Sequence, residues 1–363
     1  MRITAAVAQA GSREFELRDL ELREPGDHEV LVKVVGTGLC HTDLIIRDQW
    51  FSTPLPAVLG HEGSGVVERV GPSVSNVKPG DRVVLSYNSC GRCGNCLTAK
   101  PNYCEQFWAY NFSATVPGGK PTISQGGMAI GSNFFGQSSF ATFAIANERS
   151  VVKVGDRVTL EKLGPLGCGI QTGAGAVLNT LRPPAGATIA VFGAGAVGLS
   201  AVMAARLSGC SRIFVVDRVQ SRLELAKELG ASDTLMGADD NARDLRRATH
   251  GGVEFAVEAT GVPAVLRSAM DSLTQGGTCA LVGAAASRAT AEIDISTLLF
   301  GRKLVGVIEG DAIPQVFVPR LVALHLDGLF PFTELITEYP YTQVNRAIAD
   351  AESGECIKPV LLW

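Results

Sequence analysis

The sequence has no excess of basic charge. Its 32 Lys and Arg are outnumbered by 36 Asp and Glu, giving a net charge of −4. A nucleic acid or an anionic membrane surface would call for a basic patch, so neither is expected as a partner. Internal repeats and low-complexity tracts are also lacking, which argues against a solenoid or a disordered tail. The opening residues MRITAAVAQAG hold no apolar signal core with a cleavage site. A reduced, cytoplasmic protein is the expectation, with cysteine used for metal rather than for disulfides. Uncharged runs are scarce too. The two long ones, Leu163 to Leu181 and Pro183 to Ala205, approach the roughly 20 residues of a membrane-spanning helix. Both are glycine-rich, and the second divides into a β-like piece, a glycine turn and a helix-like piece. A buried strand feeding a helix is the better reading, and no membrane span is expected.

What is present is an ordinary, somewhat apolar composition: 363 residues, 46% hydrophobic, with 41 glycines and nine cysteines. The length suggests two domains. The first 90 residues read as β-rich, with Val30–Val35 and Gly65–Val70 as strands. A cysteine-dense loop follows at 90–104. Residues 105–140, rich in Gly, Ser, Asn and Phe without periodicity, read as loop.

Beyond about residue 170 the texture changes. A strand at Thr188–Phe192 leads to a glycine turn and a small-residue helix. A strand at Arg212–Val216 ends in Asp217. The helix SRLELAKELG is closed by Gly230, and a further strand covers Glu254–Glu258. This alternation predicts an α/β, doubly wound parallel sheet. The turn Gly193-Ala194-Gly195-Ala196-Val197-Gly198 fits G-x-G-x-x-G between a strand and a helix. There the glycines make the turn, admit a pyrophosphate and let helix and strand pack. Asp217 lies about 20 residues on, where a carboxylate accepts from ribose hydroxyls and repels a 2′-phosphate; NAD is therefore expected. The adjacent Arg218 is of the type that accommodates that phosphate and keeps NADP open.

Cys90, Cys93, Cys96 and Cys104 are separated by two, two and seven residues. Four thiolates from one loop can close a tetrahedral shell, which makes a structural zinc site without an open position. An iron–sulfur cluster is the alternative, but Cys104 precedes Glu105 rather than the proline of the usual ferredoxin run. A zinc-ribbon nucleic-acid module is disfavoured, since the loop's basic residues are only Arg92 and Lys100. Cys40 in GLCHTD, His61 in GHEGSG and Cys168 in GPLGCG are glycine-flanked residues of the types that bind zinc with one position open. Spacing alone does not show that they converge, and each read singly is a packed residue.

GHEGSGVVERVG, then KPGDRVV, then the four cysteines, then GAGAVG and Asp217, resemble the zinc-dependent medium-chain alcohol dehydrogenase family. The likeness runs from GLCHTD to the terminal GECIKPVL. The tract GVIEGDAIPQVFVPRLVALHLDGLFPF resembles the aryl (benzyl) alcohol dehydrogenase branch, which includes enzymes of allylic terpene alcohols such as geraniol. The resemblance implies two zinc ions per chain. Cys40, His61 and Cys168 would hold the catalytic one, with Glu62 behind it and exchanging with a ligand. Asp43 would orient His61, and Thr42 would meet the substrate oxygen. His41 and Lys358 would contact the coenzyme phosphates, and Arg222 the adenosine ribose. A histidine three residues beyond the hydroxyl residue ends the proton relay in animal liver enzymes; Ile45 stands there instead.

The resemblance further implies a GroES-like catalytic domain at 1–169 and 308–363, interleaved with a Rossmann coenzyme domain at 170–307. It implies a cleft that closes over NAD and pairing into a homodimer or homotetramer through the coenzyme-domain sheet. The implied reaction is reversible oxidation of a primary aromatic or allylic alcohol to the aldehyde. The competing readings are a thiol-dependent formaldehyde dehydrogenase of the same superfamily and a non-catalytic zinc and dinucleotide binder. Trp50, Phe51, Phe112 and Phe134 are residues for an apolar substrate pocket or for core packing.

Overall fold

The computed structural model describes residues 1–239 and 241–363. The chain divides into two compact units. One comprises Met1–Cys168, Ile313–Leu326 and Thr333–Trp363; the other comprises Gly169–Ala312 and Asp327–Phe332.

The first unit is β-rich. A five-stranded sheet runs in the order Ala57–Val58, Arg2–Ala8, Phe15–Leu22, Ile123–Gln125, Met128–Ile130. The strand FELRDLEL buries Phe15, Leu20 and Leu22 and leaves most of its polar residues outward, the pattern of a half-covered antiparallel strand. A second sheet is built around Glu29–Gly38. This strand pairs with Glu62–Val70 on one edge and with Phe143–Asn147 and then Lys358–Leu362 on the other. Its near-continuous apolar run is buried accordingly. The strand Lys358–Leu362 thus lies beside residues more than 300 positions earlier, with Val360 opposite Gly38.

Residues 105–140 are not all loop. They contain a short helix, Phe107–Asn111, and the hairpin Ile123–Gln125 with Met128–Ile130. The strands are three residues each, too short to show alternation, and the Gly126-Gly127 turn between them was the one local signal.

The second unit is a six-stranded parallel sheet in the order Asp233–Met236, Arg212–Asp217, Thr188–Phe192, Val253–Glu258, Leu273–Leu281, Lys303–Gly306. In the unit's own numbering this is 3-2-1-4-5-6, the doubly wound order. Its switch point falls between Thr188–Phe192 and Val253–Glu258. TIAVF and RIFVVD are apolar on both faces because helices cover both. The run Pro183 to Ala205 resolves into the first of these strands and the helix Ala196–Leu207. No helix among the described residues is long and apolar enough to cross a membrane. The expected fold class, a β-rich domain plus a doubly wound parallel sheet, is what the chain adopts.

Candidate metal centres and dinucleotide pocket

Cys40 precedes the helix His41–Arg47, and its backbone N–H donates to Asp43 Oδ2 at 3.0 Å. The other Asp43 oxygen accepts from Gly60 N and from His61 Nδ1, each at 3.0 Å. One buried carboxylate therefore fixes both the start of the helix and the histidine ring. With Nδ1 committed to Asp43, His61 turns Nε2 inward as an acceptor. That atom is buried and meets no hydrogen-bond partner among the described residues. Gln137 secures the same segment, donating to His61 O at 2.9 Å and accepting from Gly63 N at 3.0 Å.

Cys168 reaches this point through the turn Gly164–Gly167. A Cβ on Gly164 would lie 2.1 Å from Glu62 O, and one on Gly167 would lie 2.0 Å from Leu85 O. Only glycine lets the GPLGCG turn press this closely onto two strands. As a result, donor atoms of Cys40, His61, Glu62 and Cys168 all lie within 4.8 Å of one another. Two sulfurs, an imidazole with an orphaned buried nitrogen, and a carboxylate make a donor set that fits zinc. The hydroxyl of Thr42 lies 3.7 Å from Cys40 Sγ.

The groups of this donor set shift one another. Cys40 is held well below the usual thiol range, first by its hydrogen bond with Cys168 and then by Lys358 and His61, which together override burial. For His61, burial opposes protonation, but Asp43 and Cys40 outweigh it and its pKa rises well above the ordinary value. Burial raises the pKa of Glu62, and Lys358 offsets only part of that rise.

Lys358 meets a partner that the sequence did not suggest. Its Nζ is buried in the first unit and donates to both Glu62 oxygens, at 3.0 and 2.9 Å, and to Leu39 O at 3.2 Å. The cause is physical: a buried carboxylate requires a counter-charge, and Lys358 is delivered to it by the strand that pairs with Gly38. His41 is exposed, edge-on to Trp50 at 6.1 Å. Ile45 is buried.

Cys90, Cys93, Cys96 and Cys104 also place all four sulfurs within 4.8 Å of one another. Cys90–Cys96 at 3.9 Å and Cys93–Cys104 at 4.0 Å are far outside disulfide length. Backbone N–H groups of Arg92 and Cys93 point at Cys90 Sγ, at 3.5 and 3.3 Å, as they do around thiolates. Such bonds bring Cys93 down to about 6, while burial pushes Cys104 up to about 12. This loop too fits a four-thiolate zinc.

In the second unit a cavity of 550 Å³ is lined by Gly193, Gly195, Asp217, Arg218, Arg222 and Thr260, among others. A Cβ on Gly198 would fall 1.7 Å from Gly193 O, so the third glycine is what lets the helix approach the turn. Asp217 accepts from Ala194 N at 2.6 Å and from Val219 N at 2.9 Å, which anchors its carboxylate at the cavity wall. Arg222 Nε is buried there without a partner among the described residues. A wider groove of 890 Å³ flanks Cys90 and Cys96, but none of Cys40, His61 and Cys168 lines it.

The sequence pointed to Phe112 and Phe134 for an apolar pocket or core packing, but not to Phe135 or to the shell they form on His61. Phe135 stacks on its ring at 4.5 Å and Phe134 meets it edge-on at 5.3 Å. Phe112 contacts both, and Trp108 stacks on Phe112 at 4.2 Å. Phe112 and Phe134 are buried in the core, Phe51 packs against that core, and Trp50 is exposed. For Phe135 the advance signal was the Phe density of a stretch without periodicity.

Residues 26–156 match the alcohol dehydrogenase GroES-like domain, and residues 196–324 match the zinc-binding dehydrogenase domain. A geraniol dehydrogenase of Castellaniella defragrans is 46% identical over 99% of this chain and 97% of its own length. The chain belongs to the zinc-dependent medium-chain alcohol dehydrogenases. Among solved structures, a zinc-binding-domain alcohol dehydrogenase protein of Burkholderia ambifaria is 50% identical with a TM-score of 0.97, covering 100% of this chain and 99% of that one. The benzyl alcohol dehydrogenase of Acinetobacter calcoaceticus is 46% identical, also with a TM-score of 0.97 and the same coverage. As a member of this family the chain is an alcohol dehydrogenase with zinc and NAD as cofactors and a small alcohol or aldehyde as substrate, and the non-catalytic reading falls away.

Proposed function

We propose that this dehydrogenase oxidises primary alcohols whose carbinol carbon is benzylic or allylic, with Cys40, His61 and Cys168 holding the catalytic zinc and the four-cysteine loop a structural one. The observation that carries the substrate class is the aromatic shell packed directly on the imidazole of His61. Relatives named for geraniol and benzyl alcohol support it.

Zinc at this donor set supplies Lewis acidity toward an alcohol oxygen, and NAD supplies the hydride acceptor. The chain's own residues do the rest. Asp43 holds His61 in the tautomer that leaves Nε2 as a ligand atom. Thr42 Oγ1, beside Cys40, accepts the substrate's proton while giving up its own. Ile45 offers no relay beyond it, so that proton leaves to water. Phe135 and Phe134 exclude water from the metal's apolar side and seat a conjugated substituent. Gly193, Gly195 and Gly198 form the pyrophosphate turn, Asp217 and Arg222 meet the adenosine ribose, and His41 the pyrophosphate. Asp217 favours NAD over NADP despite Arg218.

We assign residues 1–169 and 308–363 to catalysis and 170–307 to coenzyme binding. The strand Lys303–Gly306 ends the second unit's sheet beside exposed Ile295, Leu299 and Phe300. An open edge with apolar neighbours supports pairing into a homodimer or homotetramer. The described residues contain no disulfide among their nine cysteines, which supports a reducing, cytoplasmic setting.

The test is NAD reduction with benzyl alcohol, cinnamyl alcohol, geraniol and ethanol, repeated with Cys168→Ser. Burying an aryl or allylic group is worth about 2–3 kcal/mol, so kcat/KM should exceed that for ethanol by roughly a hundredfold. Equal values for ethanol and benzyl alcohol would reject the substrate class.

A further inference from the structure

Four side chains, not three, converge at the catalytic centre: Cys40, His61, Glu62 and Cys168. Four ligands would close a zinc shell, whereas catalysis needs one corner free. Something must therefore keep one donor away, and both oxygens of Glu62 are already engaged by a side chain. Lys358 Nζ donates to both oxygens of Glu62, and its remaining hydrogen bond goes to Leu39 O. Glu62 is fully buried and Lys358 nearly so, so no bulk water competes for this ion pair. The strand Lys358–Leu362 pairs in register with Gly36–Gly38, which fixes the lysine where the carboxylate is.

We infer that Lys358 is a positioning residue that keeps the catalytic metal's fourth corner open by holding both Glu62 oxygens. Without it, the carboxylate turns to the metal and caps it. The inference rests on the zinc site proposed above. It asks of Lys358 only a fixed charge and a fixed position, and no proton transfer.

The test uses full-length enzyme with cobalt in place of the catalytic zinc, whose visible absorption reports thiolate ligation and coordination. Imidazole is titrated as a small probe for the open corner. Lys358→Met is expected to weaken imidazole binding by at least about tenfold and to shift the cobalt spectrum before any imidazole is added. Lys358→Met/Glu62→Gln is expected to restore binding to within about threefold of wild type, since the amide is a poor ligand. Lys358→Arg is expected to behave like wild type. A purely structural lysine would give equal losses in the single and double variants.

Unchanged imidazole binding in Lys358→Met, or no recovery in the double variant, overturns the inference. Should Lys358→Met fail to load metal, loading and wild-type imidazole binding by the double variant still trace the requirement to Glu62. Failure of both together overturns it. Absence of a cobalt–thiolate band in wild type rejects the zinc site itself and takes the inference down with it.

Discussion

The two metal centres of this chain contrast in how they are made. The four-cysteine loop draws every donor from 15 consecutive residues, 90–104, and three of its four cysteines are only partly buried. Its donors are alike, its shell is full, and its second layer is backbone N–H from the same loop. The other centre collects its donors from residues 40, 61, 62 and 168 and seals His61, Glu62 and Asp43 away from solvent. Its second layer is side chains: Asp43 on His61, Gln137 on the His61 carbonyl, Lys358 on Glu62. A metal that only ties a loop together needs thiolates and nothing more. A metal that does chemistry needs one position left open, and here its donors come from across the fold.

This contrast can be broken by mutation. The largest effect is expected for Cys168→Ser. Turnover of benzyl alcohol should fall by at least about a thousandfold, while the chain keeps its fold and retains one zinc by metal analysis. Turnover within tenfold of wild type would contradict the assignment. Cys96→Ser should do the reverse. Melting temperature should drop by roughly 6–12 °C, the equivalent of about 3 kcal/mol in a unit of this size, with kcat/KM of the folded enzyme within about threefold. Equal damage to activity from both changes would erase the distinction.

The contrast also decides what could be read in advance. The cysteine loop and the G-x-G-x-x-G turn are local: their residues sit at fixed offsets, and Asp217 follows at the end of the next strand. The catalytic set is not local, and Cys40, His61 and Cys168 were recognisable only by their likeness to a family, never by spacing. The partnership of Lys358 with Glu62 bridges 296 positions of sequence, so no local pattern pointed to the carboxylate beside the lysine. Phe135 and Gln137 went unnoticed because residues 133–138 follow neither helical nor strand period. Several of them hold positive φ, including Asn133, Phe135 and Ser138, a conformation that the surrounding core enforces.

Smaller effects sharpen the same contrast. Asp43→Asn should cost about 10–100-fold in activity or catalytic zinc affinity, without affecting the loop zinc, because only the catalytic centre depends on a side chain to orient its ligand. Loss of both metals together would mean that Asp43 supports the fold rather than the ligand. Phe135→Ala should lower the preference for benzyl alcohol over ethanol by about tenfold, read as a ratio of kcat/KM values. An unchanged ratio would move the aromatic shell from specificity to packing.

The most direct measurement is a crystal structure of the zinc-loaded enzyme with anomalous diffraction at the zinc edge. Two peaks per chain are expected, one among the four cysteines and one bounded by Cys40 Sγ, His61 Nε2 and Cys168 Sγ, with Glu62 still on Lys358. A single peak in the cysteine loop, or a second peak capped by Glu62 as a permanent fourth ligand, would contradict the account.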